Sequence, residues 1–310
     1  MKQFARRIAS SIPLVRTFTH SVPPYYVGGV IENQLGWQLA RILLSPRSRY
    51  DSRYVVPELN LHFESLRRDG IAVIPDFLSQ PKFQAIQEEA TTIESEMNFE
   101  GLRQNNMIGY MEQACKTVPA SQSDSPAWRY LGVDQRVNRL ASFVIGKPIS
   151  TSTRIDFDFY RSTPNATAEA NDIDNILHSD LHLDTVKVFY TLSDITLKNG
   201  PFVFAKGSHR QSWARLRHEY QKSIDNAHLR KQKWNRIPPS RLTSRGPMKR
   251  VKMSDDDRAR LGIVETPFIA PAGSLIVANT FGFHRRGEFA PNQTRRWIQL
   301  GYRSYNRGIS

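Results

Sequence analysis

From about residue 150 the chain reads as a succession of short strands, and this pattern constrains its fold more than any other feature. Ile155, Phe157 and Phe159 alternate with Asp156, Asp158 and Tyr160. Further strands are predicted over 186–192, 201–205, 266–269, 274–278 and 297–302. Asn199-Gly200, Lys206-Gly207 and Pro271-Ala272-Gly273 supply turns between them. Many short strands must hide their unpaired edges, and a double-sheet barrel or jelly roll does so with few residues per strand.

Helical signals come first in the chain. Leu61, Phe63 and Leu66 precede Gly70, after which AVIPDFL reads as a strand running into a turn. Ser79 is placed to cap a helix with Pro81 in its first turn and Phe83, Ile86 and Ala90 on its inner face. A shorter helical pattern covers 34–44. The expected organisation is a basic arm and linker over 1–58, then one domain over 59–310. Its β core spans about 150–305 and is interrupted by a basic insertion at 211–262.

That division follows the charge. The 310 residues carry a formal charge of +14, which suggests an anionic partner. Yet residues 1–53 hold eight basic and two acidic side chains, and residues 211–262 hold fourteen and five, so the remainder is close to neutral. The arm could address an organelle or lie on a membrane surface, or be a solvated basic terminus. No stretch is apolar enough for a transmembrane helix. The expected location is cytoplasmic or organellar, in a reducing compartment, with peripheral membrane contact through the arm. One cysteine, Cys115, excludes a disulfide scaffold, a zinc–thiolate cluster and a cysteine-bound iron–sulfur centre. In the insertion, Arg215, Arg217, Arg230, Lys231, Lys233 and Arg236 could face an anionic group, with Trp213, Tyr220 and Trp234 over an apolar part. They could equally form a solvated face packed on the barrel by its aromatics.

Chemistry is concentrated in LHSDLHLDTVKVFYTL. His178 and Asp180 are two residues apart, as are His182 and Asp184. On extended backbone such pairs point to one face. With a third ligand from a distant strand they form a two-histidine, one-carboxylate set, which leaves positions open on a non-haem iron. His284, after a strand and a glycine, is the best third candidate. Eleven residues further on, Arg295 could clamp a carboxylate in planar geometry. Arg296 beside it must point to the opposite face, so only one of the two enters the barrel.

These segments resemble the phytanoyl-CoA dioxygenase family of Fe(II)/2-oxoglutarate oxygenases. LRRDGIAVIPDFLS resembles its domain opening, and HSDLHLDTVKVFYTLSDITLKNGPFVFAKGSHR its metal strand, next strand and turn. PAGSLIVANTFGFHRRGEF with the later RR resembles its closing segment. The resemblance implies a double-stranded β-helix of cupin-like form. It implies His178, Asp180 and His284 as the metal and catalytic site, favoured over His182/Asp184. It also implies Arg295 as the 2-oxoglutarate anchor, with Fe(2+), 2-oxoglutarate and dioxygen as cofactors and co-substrates. His209, in KGSHR, reads as structural or near the cavity mouth. The implied activity is hydroxylation or a related oxidation of a C–H bond in a small molecule, anionic or lipid-like, because oxygenase-fold halogenases lack the carboxylate that Asp180 supplies. No specific nucleic acid is expected. A non-catalytic oxygenase-fold protein that binds an anionic partner, and a metal-dependent isomerase or hydrolase, are the competing readings.

Overall fold

The computed structural model describes residues 28–44, 50–97, 111–122, 124–149, 154–162, 175–180, 185–234 and 251–303. Residues 1–27 of the arm, His182, Asp184 and residues 235–250 of the insertion lie outside them. The side chains of 229–234 lie outside them as well, and with them the readings of Arg230, Lys231, Lys233, Trp234 and Arg236.

Among the described residues, eleven strands pair antiparallel in two sheets: β1 (Ile71–Ile74), β2 (Met111–Pro119), β3 (Arg154–Ser162), β4 (His178–Ser179), β5 (Thr185–Thr191), β6 (Phe202–Ala205), β7 (Val251–Lys252), β8 (Glu265–Phe268), β9 (Leu275–Asn279), β10 (His284–Arg286) and β11 (Thr294–Arg303). The larger sheet runs β1-β9-β5-β11-β3-β2 and the smaller β7-β4-β10-β6-β8. Within these orders, β3, β11, β5 and β9 face β4, β10, β6 and β8. From β3 to β6 and again from β8 to β11 the chain alternates between the sheets, which is a double-stranded β-helix.

Strands β1, β3, β5, β9 and β11 of the larger sheet divide their side chains between two cores, as period-2 geometry requires. Phe157, Phe159, Val186, Val188, Tyr190, Leu275, Val277, Ile298 and Leu300 face outward into a core shared with the helices. Tyr160, Phe189, Ile276, Ala278 and Trp297 face inward and meet Phe202 and Phe204 of the smaller sheet.

Three helices cover the outer face. The Asn60–Asp69 helix buries Phe63 and Leu66 and stops at Gly70, whose φ of 85° is left-handed. Leu61 of the same helix is exposed. The Gln80–Glu96 helix follows Ser79 and carries Pro81 in its first turn, but the Ser79 hydroxyl makes no capping bond. The Gln135–Ile145 helix is capped by Asp134, which accepts from Arg136 N, and buries Val137, Leu140, Ala141, Phe143 and Val144. The predicted 34–44 helix is two pieces, Val30–Gln34 and Trp37–Leu44, broken at Gly36 with φ 87°.

The basic insertion contains a helix, Trp213–Trp234, and its β7 pairs with β4 before a short helix, Asp255–Leu261. It therefore contributes one edge strand of the smaller sheet. Among the described residues, no helix is long and apolar enough to cross a membrane.

Candidate metal and co-substrate site

The two shortest inner strands carry the histidines. β4 has two residues and β10 three, and they pair with His178 directly opposite His284. The imidazole centroids lie 4.6 Å apart. Asp180 follows β4, its amide held by Thr280 O at 3.2 Å. Its carboxylate closes the triangle, with Oδ1 3.9 Å from His178 Nε2 and Oδ2 3.6 Å from His284 Nε2. One donor atom from each of the three lies within 4.8 Å of the others.

The donor chemistry suits a metal. His178 Nδ1 lies 2.7 Å from Ile176 O, and His284 Nδ1 lies 3.0 Å from Gly282 O. A carbonyl can only accept, so each Nδ1 carries the proton and each Nε2 presents a lone pair to the common point. His284 Nε2 is buried with no hydrogen-bond partner. Burial, partly offset by the Asp180 carboxylate, pushes the His284 imidazole down to about 3, so it is neutral. A buried, neutral, unpartnered imidazole nitrogen facing a carboxylate is what a divalent cation requires.

Gly282 shapes this end of β10. A Cβ there would overlap the Phe204 ring and come within 3.2 Å of Asn279 O. Lys187 of β5, which the sequence reading did not single out, places Nζ 2.7 Å from Asp180 Oδ2.

Arg295 and Arg296 separate as strand geometry demands. Arg296 points outward, with Nε 3.2 Å from Glu94 and Nη2 donating to Thr91 Oγ1 at 3.1 Å. Arg295 points inward and is 1% exposed. Its guanidinium carbon lies 3.7 Å from the Trp297 ring and 4.1 Å from the Tyr160 ring. Its Nε and Nη1 have no hydrogen-bond partner. Burial lowers its pKa to about 10, which leaves it charged at neutral pH. A desolvated cation with unmade donors fits an incoming carboxylate. Asp158, on β3 opposite Trp297, accepts from the indole Nε1 at 3.3 Å.

His209 lies elsewhere. It is buried against the turn at Gly70, with Nε2 3.3 Å from Arg67 O and its ring edge-on to Tyr50. The insertion's expected anion contacts need correction at Arg215. Its guanidinium is buried and bound to Glu219, with Nε to Oε1 at 2.8 Å. Trp213 is 88% exposed and does not pack on the barrel. Tyr220 uses its hydroxyl to reach Gln34 O.

The fold and the site together define a double-stranded β-helix with a His-x-Asp…His donor set on its smaller sheet. The family model for phytanoyl-CoA dioxygenase (PhyH) matches residues 66–258. The chain belongs to that family and is an oxidoreductase of the iron- and 2-oxoglutarate-dependent oxygenase class. The match includes His178 and Asp180 and most of the basic insertion, and it ends before His284 and Arg295. Among solved structures, the chain is similar to the epimerase SnoN in complex with Fe3+, alpha ketoglutarate and nogalamycin RO. The identity there is 15% and the TM-score 0.50, covering 79% of this chain and 83% of that one. It is also similar to EctD from S. alaskensis with 2-oxoglutarate and 5-hydroxyectoine, at 16% identity and TM-score 0.52, covering 84% and 81%. At such identities the likeness establishes the fold alone. No curated protein matches the sequence significantly.

Proposed function

We propose that this protein is an Fe(II)/2-oxoglutarate-dependent dioxygenase that hydroxylates, or otherwise oxidises, a C–H bond of a small molecule. The observation that carries the reading is a set of three converging donor atoms on the smaller sheet, together with a buried guanidinium on the larger sheet whose Nε and Nη1 have no hydrogen-bond partner. His178, Asp180 and His284 would hold the iron, and Arg295 the far carboxylate of 2-oxoglutarate. When bound, iron and its co-substrate supply the activation of dioxygen.

The chain's own work is to bind, orient and exclude water. The carbonyls of Ile176 and Gly282 hold the two rings in one tautomer, and Lys187 balances the Asp180 carboxylate. Trp297 and Tyr160 flank Arg295 with apolar surface, so a carboxylate arriving there meets a cation in a dry setting where the pair is strong. Arg215 does not support the anionic-substrate reading of the insertion, because Glu219 already neutralises it.

The deciding variant is Asp180→Ala. Oxygen-dependent conversion of 2-oxoglutarate to succinate should be abolished, and full retention would overturn the assignment.

A further inference from the structure

The side chain between the two ligands of β4 is Ser179, and it points the other way, out of the barrel. There it meets a guanidinium. Arg215 Nη2 donates to Ser179 Oγ at 2.9 Å and to Phe281 O at 3.3 Å. Ser179 Oγ in turn donates to Phe281 O at 2.8 Å. Arg215 Nη1 reaches Ser208 O at 3.3 Å, and Ser208 Oγ accepts from Phe283 N at 2.8 Å. The guanidinium carbon lies 3.7 Å from the Phe283 ring and 4.6 Å from the Phe281 ring. Arg215 is 3% exposed and Glu219, one turn further along the helix, is 0% exposed.

One charged group therefore grips three segments. The first is 178–180, which carries two candidate ligands. The second is 281–284, which ends in the third. The last is the turn after β6. The two strands it joins are too short to hold their register alone, since β4 and β10 share one residue pair. The bonds that the planar guanidinium makes to both segments supply what the missing ladder does not.

We infer that Arg215 is a positioning residue for the metal centre: from outside the barrel it fixes His178 and Asp180 against His284, and Glu219 holds it there. The helix Trp213–Trp234 thereby becomes part of the site's frame. Groups that orient ligands from behind typically govern metal affinity by ten- to a hundredfold. This inference rests on the reading of His178, Asp180 and His284 as ligands.

The test uses the full chain and Co(II) as a spectroscopic probe of the site. Dissociation constants and ligand-field spectra are measured for wild type, Ser179→Ala, Arg215→Lys, Arg215→Met and His284→Ala, alongside melting temperatures. Arg215→Met should weaken Co(II) binding by at least tenfold and alter the spectrum. Arg215→Lys should fall between, because one ammonium cannot replace the fork. Ser179→Ala keeps the Arg215–Glu219 pair and guards against a variant that does not fold. It should weaken binding several-fold with little change in melting temperature. If Ser179→Ala and Arg215→Lys bind Co(II) with wild-type affinity and spectrum, whatever their melting temperatures, the inference is overturned. If His284→Ala also binds as wild type, the ligand assignment beneath it fails instead.

Discussion

Arg295 and Arg296 are chemically identical neighbours with opposite fates. Arg296 forms a partly exposed pair with Glu94, worth about 0–1 kcal/mol in general. Arg295 is desolvated between two aromatic rings with donors unmade. Replacing Arg295 with Lys keeps the charge and removes the planar fork. The expected result is a rise in KM for 2-oxoglutarate of about tenfold or more, given the cost of a charge-assisted bond. Arg296→Gln should leave that KM within about twofold. Equal effects of the two substitutions would contradict the assignment of the inward arginine to the co-substrate. Period-2 geometry made this separation legible from sequence, but not which arginine faced inward. That depends on the strand's register with β3 and β5, which only the assembled sheet fixes.

The strands that carry the histidines are the ones periodicity could not see. β4 and β10, at two and three residues, are shorter than any alternation can register. Their histidines were found by spacing and resemblance alone. β2 escaped for a different reason. It is an edge strand whose Cys115, Lys116 and Thr117 are exposed, so MEQACKTVP lacks a clean apolar alternation. From sequence Arg215 reads as an anion contact or part of a solvated face, because basic side chains are mostly exposed. Glu219 four residues on was the available clue, since an Arg–Glu pair at that spacing can satisfy itself on one helix face. Gly282 belongs to this scale too, because its missing Cβ leaves room for the Phe204 ring beside β10. Gly282→Ala would force the segment away from Phe204 and Asn279 O. It should reduce metal affinity by about tenfold while leaving KM for 2-oxoglutarate less affected, as titration with a divalent metal would reveal.

For the molecule as a whole, the interior of the barrel holds a carboxyl that should be visible in its stability. Asp158 is pushed up by burial from an ordinary 3.8 to about 6, partly offset by its bonds to Cys115 and Trp297. The folded protein thus binds this proton more tightly than the unfolded chain. Its contribution is present in full below about pH 4 and is lost as pH rises to about 6, amounting to about 3 kcal/mol. Asp158→Asn should flatten that part of the stability–pH curve and raise the melting temperature near neutral pH. An unchanged slope in urea unfolding across this range would show that Asp158 is not its source.

The pairing of His178 with His284 has a consequence for how the protein is made. The two histidines sit side by side, yet the ribosome delivers the first a hundred residues before the second. While the chain is emerging, His178 and Asp180 have no third partner, and β4 has no β10 to lie against. A metal captured at that stage would find two donors instead of three. A site with all three donors can therefore form only once β10 has wound in beside β4.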